Sequence, residues 1–193
     1  GRLGKRLDIS VDAGPTQLAI GDINGDGYNE IAVVCLPADK IDILSVNSDD
    51  PASYTLSKSI QLSNGGAPAD LRLADLNGDG RIDMAVADFT KNEFGVYFQQ
   101  ADGSLLAQPP LPTSGSHHNG LTVADLYKDG RKEIIVANRD SDSLDIFEMS
   151  NQGYQLSRTL KVADDPESSF GPVEVAALDT MGRGQLDLVT SHM

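Results

Sequence analysis

The chain has 193 residues, 39% of them apolar, which is enough to bury a core and too many for a disordered segment. Its formal net charge of −14 argues against nucleic acid or an anionic membrane surface as a partner, because phosphates must meet a basic patch; dense carboxylates suit divalent cations instead. Cys35 is the single cysteine, so no disulfide forms within the chain, and its apolar run Ile31-Ala32-Val33-Val34-Cys35-Leu36 marks it as a small buried hydrophobe.

From the start of the chain, Leu7, Ile9 and Val11 alternate as the outer strand of a sheet whose other strands lie elsewhere. Leu18 and Ile20 then alternate into the stretch Asp22-Ile23-Asn24-Gly25-Asp26-Gly27-Tyr28-Asn29-Glu30, and Ile31 and Val33 alternate out of it. That makes the stretch the tip of a β-hairpin. Ile41 and Ile43 mark a third strand beyond the turn Pro37-Ala38-Asp39-Lys40, and Leu56 to Leu62 a fourth.

The same order returns. Leu71 and Leu73 enter Asp75-Leu76-Asn77-Gly78-Asp79-Gly80-Arg81-Ile82-Asp83, Met84 and Val86 leave it, and Phe94 and Val96 mark a third strand. The fourth, Leu105 to Leu111, is interrupted by Pro109 and Pro110, which suits a sheet edge. A third unit runs through Leu121, Val123, the loop Asp125 to Glu133, Ile134, Val136, Leu144, Ile146 and Leu156 to Val162. A fourth has room only for Val175, Ala177, the loop Asp179 to Asp187, Leu188 and Thr190.

The four loops are spaced by 53, 50 and 54 residues, and no apolar pattern holds a helical period over three turns. Four strands per unit of about fifty residues predict an all-β fold, a partial β-propeller of four-stranded antiparallel blades. The expected divisions are an outer strand over 1–13, blades over 14–63, 64–114 and 115–164, and the first hairpin of another blade over 165–193. This is an open arc whose end blades expose Leu18-type and Ile31-type residues; the alternative is a closed four-bladed ring in which Leu7 to Val11 pairs with Leu186 to Ser191.

Gly65-Gly66-Ala67-Pro68, the strand Leu71 to Ala74, the loop Asp75 to Asp83 and the strand Met84 to Ala87 resemble the FG-GAP or VCBS repeat of integrin α-subunit propellers and many bacterial surface proteins. Gly14-Pro15 and Gly171-Pro172 stand at equivalent points. The resemblance implies a calcium-binding propeller module, secreted or periplasmic, that serves adhesion by binding carbohydrate or protein. It further implies that the remainder of the propeller, or another copy, completes the ring.

Side-chain oxygens at loop positions 1, 3 and 5, a glycine at 6 and a backbone carbonyl at 7 can supply the all-oxygen shell Ca²⁺ prefers. An EF-hand is rejected, because its position 12 would be Val33 or Val86, inside a β-alternating run. The resemblance instead puts the last carboxylate at position 9. The expected ligands are Asp22, Asn24, Asp26, Tyr28 and Glu30, then Asp75, Asn77, Asp79, Arg81 and Asp83, with the tyrosine and arginine acting through their carbonyls. Three carboxylates about 4 Å apart repel by roughly 4 kcal/mol per pair at an effective dielectric of about 20, against about 1 kcal/mol for a hairpin hydrogen bond. A cation-free loop is therefore expected to splay.

The third loop is a weaker candidate through Asp125, Asp129, Arg131 and Glu133, because Tyr127 replaces the position-3 ligand and Lys128 adds a charge. The fourth has Met181 and Arg183 where oxygens are needed, so the Arg183 guanidinium is expected to replace the ion by pairing with Asp179 and Asp187.

His117 and His118 fall where other units carry Gly-Pro or Ala-Pro, at the entrance to an inner strand; they are ligand candidates against the plainer reading of a solvated loop pair. No nucleophile elbow, phosphate-cradling loop, zinc spacing or dinucleotide fingerprint occurs, and no catalytic residue is assigned. The competing reading is a propeller belonging to a polysaccharide lyase or hydrolase, for which Arg72, Glu174 and the two histidines are the only candidates.

Overall fold

A strand–loop–strand unit forms four times, because alternating apolar residues on both sides of each loop need a common core. The computed structural model describes residues 6–62, 66–162 and 171–192. The first blade is β1 (Pro15–Gly21), β2 (Glu30–Cys35), β3 (Lys40–Asn47) and β4 (Asp50–Gln61), antiparallel and in that order. The second is β5 (Pro68–Ala74), β6 (Asp83–Asp88) and β7 (Glu93–Gln99), with β8 (Leu105–Ala107) and β9 (Leu111–Pro112) both paired to β7. Pro109 and Pro110 lie between those two short edge pieces, as their missing donors require.

The third blade is β10 (His118–Ala124), β11 (Glu133–Asn138), β12 (Ser143–Ser150) and β13 (Gly153–Lys161). The hairpin β14 (Pro172–Leu178) and β15 (Asp187–His192) forms a two-stranded sheet. Leu36–Ala38 and Arg139–Ser141 are single 3-10 turns, each closed by an aspartate in the left-handed region, Asp39 at φ 53° and Asp142 at φ 46°.

The blades stack face to face. Ala32, Val34, Ile41 and Ile43 of the first pack on Leu71, Met84 and Val86 of the second. Ala85, Ala87, Phe94 and Val96 of the second meet Leu121, Ile134, Val136 and Phe147 of the third, where Phe94 and Phe147 form an edge-to-face pair with centroids 4.7 Å apart. Ile135, Ala137, Leu144 and Ile146 then receive Val175 and Leu188. The first strands β1, β5, β10 and β14 stand side by side as the innermost layer. Buried Asp70 on β5 ties three of them, accepting Leu121 N–H at 2.9 Å from β10 and Gln17 Nε2 at 3.2 Å from β1.

Two expectations change. Leu7 to Val11 forms no strand. Instead Ile9 and Val11 lie against Val33, Cys35 and Leu44 of the first blade, beside Tyr54, because buried Asp42 accepts Asp12 N–H at 2.8 Å and Lys40 pairs with Asp12 at 2.7 Å. The segment is drawn across the face of the sheet rather than along an edge. The β14–β15 sheet has no third partner among the described residues, so the four-bladed ring closed by Leu7 to Val11 is not formed. Leu18 (55% exposed) and Ile20 (59%) are open to solvent as the arc predicts, whereas Ile31 is half-buried against Val33, Cys35 and Leu44.

The second and third blades also reach back to hold the loop of the one before. Gln99 at the end of β7 donates from Nε2 to Asp22 O at 3.1 Å. Tyr154 on β13 places its hydroxyl 2.8 Å from Leu76 O in the second loop and 2.7 Å from Lys132 O in the third. Tyr154→Phe should therefore destabilise by about 1–3 kcal/mol, because two carbonyls lose their shared donor in a buried seam. Denaturant unfolding would read the loss, and faster amide exchange confined to the second and third loops would locate it.

Candidate functional site

The sequence of each loop dictates its shape locally. Glycines at positions 4 and 6 take left-handed backbone, Gly25 at φ 77° and Gly27 at φ 88° in the first loop, and Gly78 and Gly80 likewise in the second. This turns successive N–H groups inward toward the position-1 carboxylate. Asp22 Oδ1 accepts Gly25 N–H (2.7 Å) and Asp26 N–H (3.1 Å), and its Oδ2 accepts Gly27 N–H (3.0 Å). Asp75 repeats the set with Gly78, Asp79 and Gly80, and Asp125 keeps two of the three bonds. In the third loop Lys128 takes the left-handed position at φ 58° that glycine fills elsewhere.

Position 9 closes each hairpin from the other side. Glu30 accepts Ile23 N–H at 3.0 Å, Asp83 accepts Leu76 N–H at 2.9 Å, and Glu133 accepts Leu126 N–H at 2.7 Å. All three carboxyls are buried. Burial is the main cause that pushes them above the ordinary carboxylate range; backbone donors oppose it, and the loop aspartates push the same way as burial. Backbone donors on positions 1 and 9 thus draw each of these three loops into a closed hairpin.

The structure gathers the predicted ligands unevenly. In the first loop Asn24 Nδ2 lies between Asp26 Oδ2 (2.9 Å) and Glu30 Oε1 (3.1 Å), so positions 3, 5 and 9 converge, while Tyr28 donates its N–H to Asp26 Oδ1. In the second loop Asn77 reaches Asp79 at 3.0 Å, but Asp83 turns its free oxygen to Gln99 N–H at 2.8 Å. There the Arg81 guanidinium pairs with Asp79 and also donates to Gln99 O at 3.0 Å. In the third loop Arg131 pairs with Asp129 at 2.9 Å. Among the described residues no three His, Cys, Asp or Glu side chains already stand together as a metal cluster. In the fourth loop Arg183 pairs with Asp187 at 3.1 Å, and only its backbone N–H reaches Asp179, so the expected double pairing is half formed. The Thr180 hydroxyl is the main cause that holds the Asp187 carboxyl below its ordinary range.

His117 and His118 part company. His117, at φ 54°, pairs through Nδ1 with Asp140 and stacks on Phe89 with centroids 4.6 Å apart. His118 is fully buried, so it is neither a solvated loop residue nor an open ligand. Its ring meets Thr113 Oγ1 at 2.7 Å, Asp88 O at 3.2 Å and Gly115 O at 3.3 Å. Near the innermost strands Arg72 is bonded to Asp70 and to Leu71 O (2.9 Å), and lies 3.8 Å from Glu174. Cys35 is buried, and burial with the nearby Asp42 charge pushes its thiol up to about 11, as an inert core residue should behave.

Gln99 and Tyr154 were missed in the sequence. Each acts on a loop in the preceding blade, and no spacing within one repeat encodes that.

Residues 75–136 match the FG-GAP-like repeat. No curated protein matches the sequence. A protein from Lactobacillus plantarum has the same fold at 15% identity and TM-score 0.66, over 92% of this chain and 51% of its own. BBS1N, crystallised in complex with ARL6DN, matches at 12% identity and TM-score 0.62, over 95% of this chain and 52% of its own. The chain thus spans about half the length of these two structures. Among the described residues no helix is long and apolar enough to cross a membrane.

Burial is the main cause that lowers the His118 pKa. The unfolded chain then binds more protons as pH falls below about 6.5, so the stability contributed by the neutral ring is complete above that value and declines beneath it. Urea unfolding from pH 8 to pH 5 should show wild type losing more stability than His118→Gln.

Proposed function

We propose that this array of propeller blades, which carries an FG-GAP-like repeat, is a calcium-stiffened, non-catalytic binding module that presents surfaces to a carbohydrate or protein partner. The observation that supports it best is the first loop. Its Asp26 and Glu30 carboxylates converge on one atom of Asn24, with Asp22 alongside, and among the described residues no lysine or arginine is paired to any of them. Asp22, Asn24, Asp26 and Glu30, with the carbonyl of Tyr28, fit an all-oxygen site for Ca²⁺, which accepts six to eight such ligands. A bound cation supplies the charge that offsets buried Glu30 and its acidic neighbours.

The second loop offers Asp75, Asn77, Asp79, Asp83 and the carbonyl of Arg81. It binds less tightly than the first, because the Arg81 guanidinium already engages Asp79. The third, through Asp125, Asp129, Glu133 and the carbonyl of Arg131, is weaker still: Arg131 neutralises Asp129, and Tyr127 brings no carboxylate or amide oxygen. An extracellular, cell-surface or periplasmic setting suits sites of this kind, since millimolar Ca²⁺ saturates dissociation constants of about 10⁻⁴–10⁻³ M. Exposed Leu18 and Ile20 suit a further blade, from the remainder of a propeller or from another copy.

Calcium should raise the melting temperature, and two sites at about a hundredfold excess over their dissociation constants contribute about 5 kcal/mol together. Asp26→Ala and Asp79→Ala should each remove one bound ion by calorimetric titration, and Arg183→Ala none. Identical melting in excess Ca²⁺ and in chelator would refute the reading.

A further inference from the structure

Repeat-equivalent positions of successive blades meet at the end of the strands opposite the acidic loops. Leu36 and Phe89 each stand fourteen residues after the first aspartate of their loop, just past the ends of β2 and β6. With Ala67 and Pro68 they wall an open cup of about 380 Å³, within the usual size range of a small ligand site. Thr16, Ala69 and Asn119, each six residues before its loop, complete the lining from three innermost strands. The Thr16 and Asn119 side chains make no hydrogen bond among the described residues.

His117 stands beside the cup in left-handed backbone, where the first repeat uses Gly14. A non-glycine residue there is strained and persists only where its surroundings impose it. Here the constraint is the Asp140 pair and the stack on Phe89, which together fix the ring that forms part of the wall.

We propose that this cup seats one apolar side chain of a basic protein segment. The inference rests on the binding-module reading and names its site. The wall is leucine, proline, alanine and phenylalanine with only two free polar side chains, whereas a sugar ring carries hydroxyls around its whole edge and needs more partners than these. The formal charge of −14 favours a cationic approach.

The test uses the whole chain and methyl NMR. The probe is a pentapeptide with a central leucine between two pairs of lysines; glutamates replace the lysines in its control, and chitohexaose and cellohexaose stand for carbohydrate. The lysine peptide should shift the methyls of Leu36, Ala67 and Ala69, and the glutamate peptide should bind at least about tenfold more weakly. Ala69→Leu, which fills the cup, and Leu36→Ser, at an exposed position, should each weaken binding about tenfold. A lysine peptide that moves other methyls, or none, overturns the cup. So does an oligosaccharide that moves the cup methyls alone, although the binding-module reading would then stand. That reading falls with the cup if no probe shifts any methyl.

Discussion

Every blade depends on one hydrogen bond, from the second N–H of the loop to the carboxylate that closes it: Ile23 to Glu30, Leu76 to Asp83, Leu126 to Glu133. It joins the two ends of a nine-residue reversal at the point where the flanking strands begin to pair, so it sets their register. A one-residue slip would turn Ala32 and Val34, or Leu71 and Val86, to the wrong face, and the stacking of blades would fail with it. A carboxylate suits the position because its two oxygens can take two separate donors, as in the first two loops: Asn24 Nδ2 on Glu30, Gln99 N–H on Asp83.

That requirement has an electrostatic consequence. The carboxylate is buried beneath two aspartates of its own loop, and low exposure leaves their mutual repulsion poorly screened. Backbone donors offset part of it. The neighbouring blade contributes no charge, only the Gln99 amide and the Tyr154 hydroxyl at backbone carbonyls. The remaining negative charge can be met by a bound cation or by a basic side chain of the chain itself.

Strand order, hairpin position and blade count were legible because alternation and a period of about fifty residues both survive in the primary structure. Leu7, Ile9 and Val11 misled because alternation records which side chains are buried, and a segment lying across a sheet buries alternate residues just as a strand does. The loop backbone was hidden for a related reason: the three N–H groups that Asp22 collects depend on left-handed Gly25 and Gly27 and act together, which side-chain charges alone do not reveal. His118 gave no sign of burial, since its partners Thr113, Gly115 and Asp88 come from the chain on either side of the blade seam.

The four loops solve the same charge problem by degrees. The first has Tyr28 where the second and third have arginine, and among the described residues no lysine or arginine pairs with its carboxylates. In the second and third, Arg81 and Arg131 extend back to the aspartate two residues earlier. In the fourth, Arg183 has moved into the loop itself and meets the closing Asp187, whose other oxygen takes the Thr180 hydroxyl. Asp187 is also the least buried of the closing carboxylates, so its charge needs the least compensation. The closing hydrogen bond is retained throughout, so the four loops share one hairpin and differ in counter-charge. The proposed calcium ion would matter most in the first loop, where among the described residues no lysine or arginine pairs with the carboxylates.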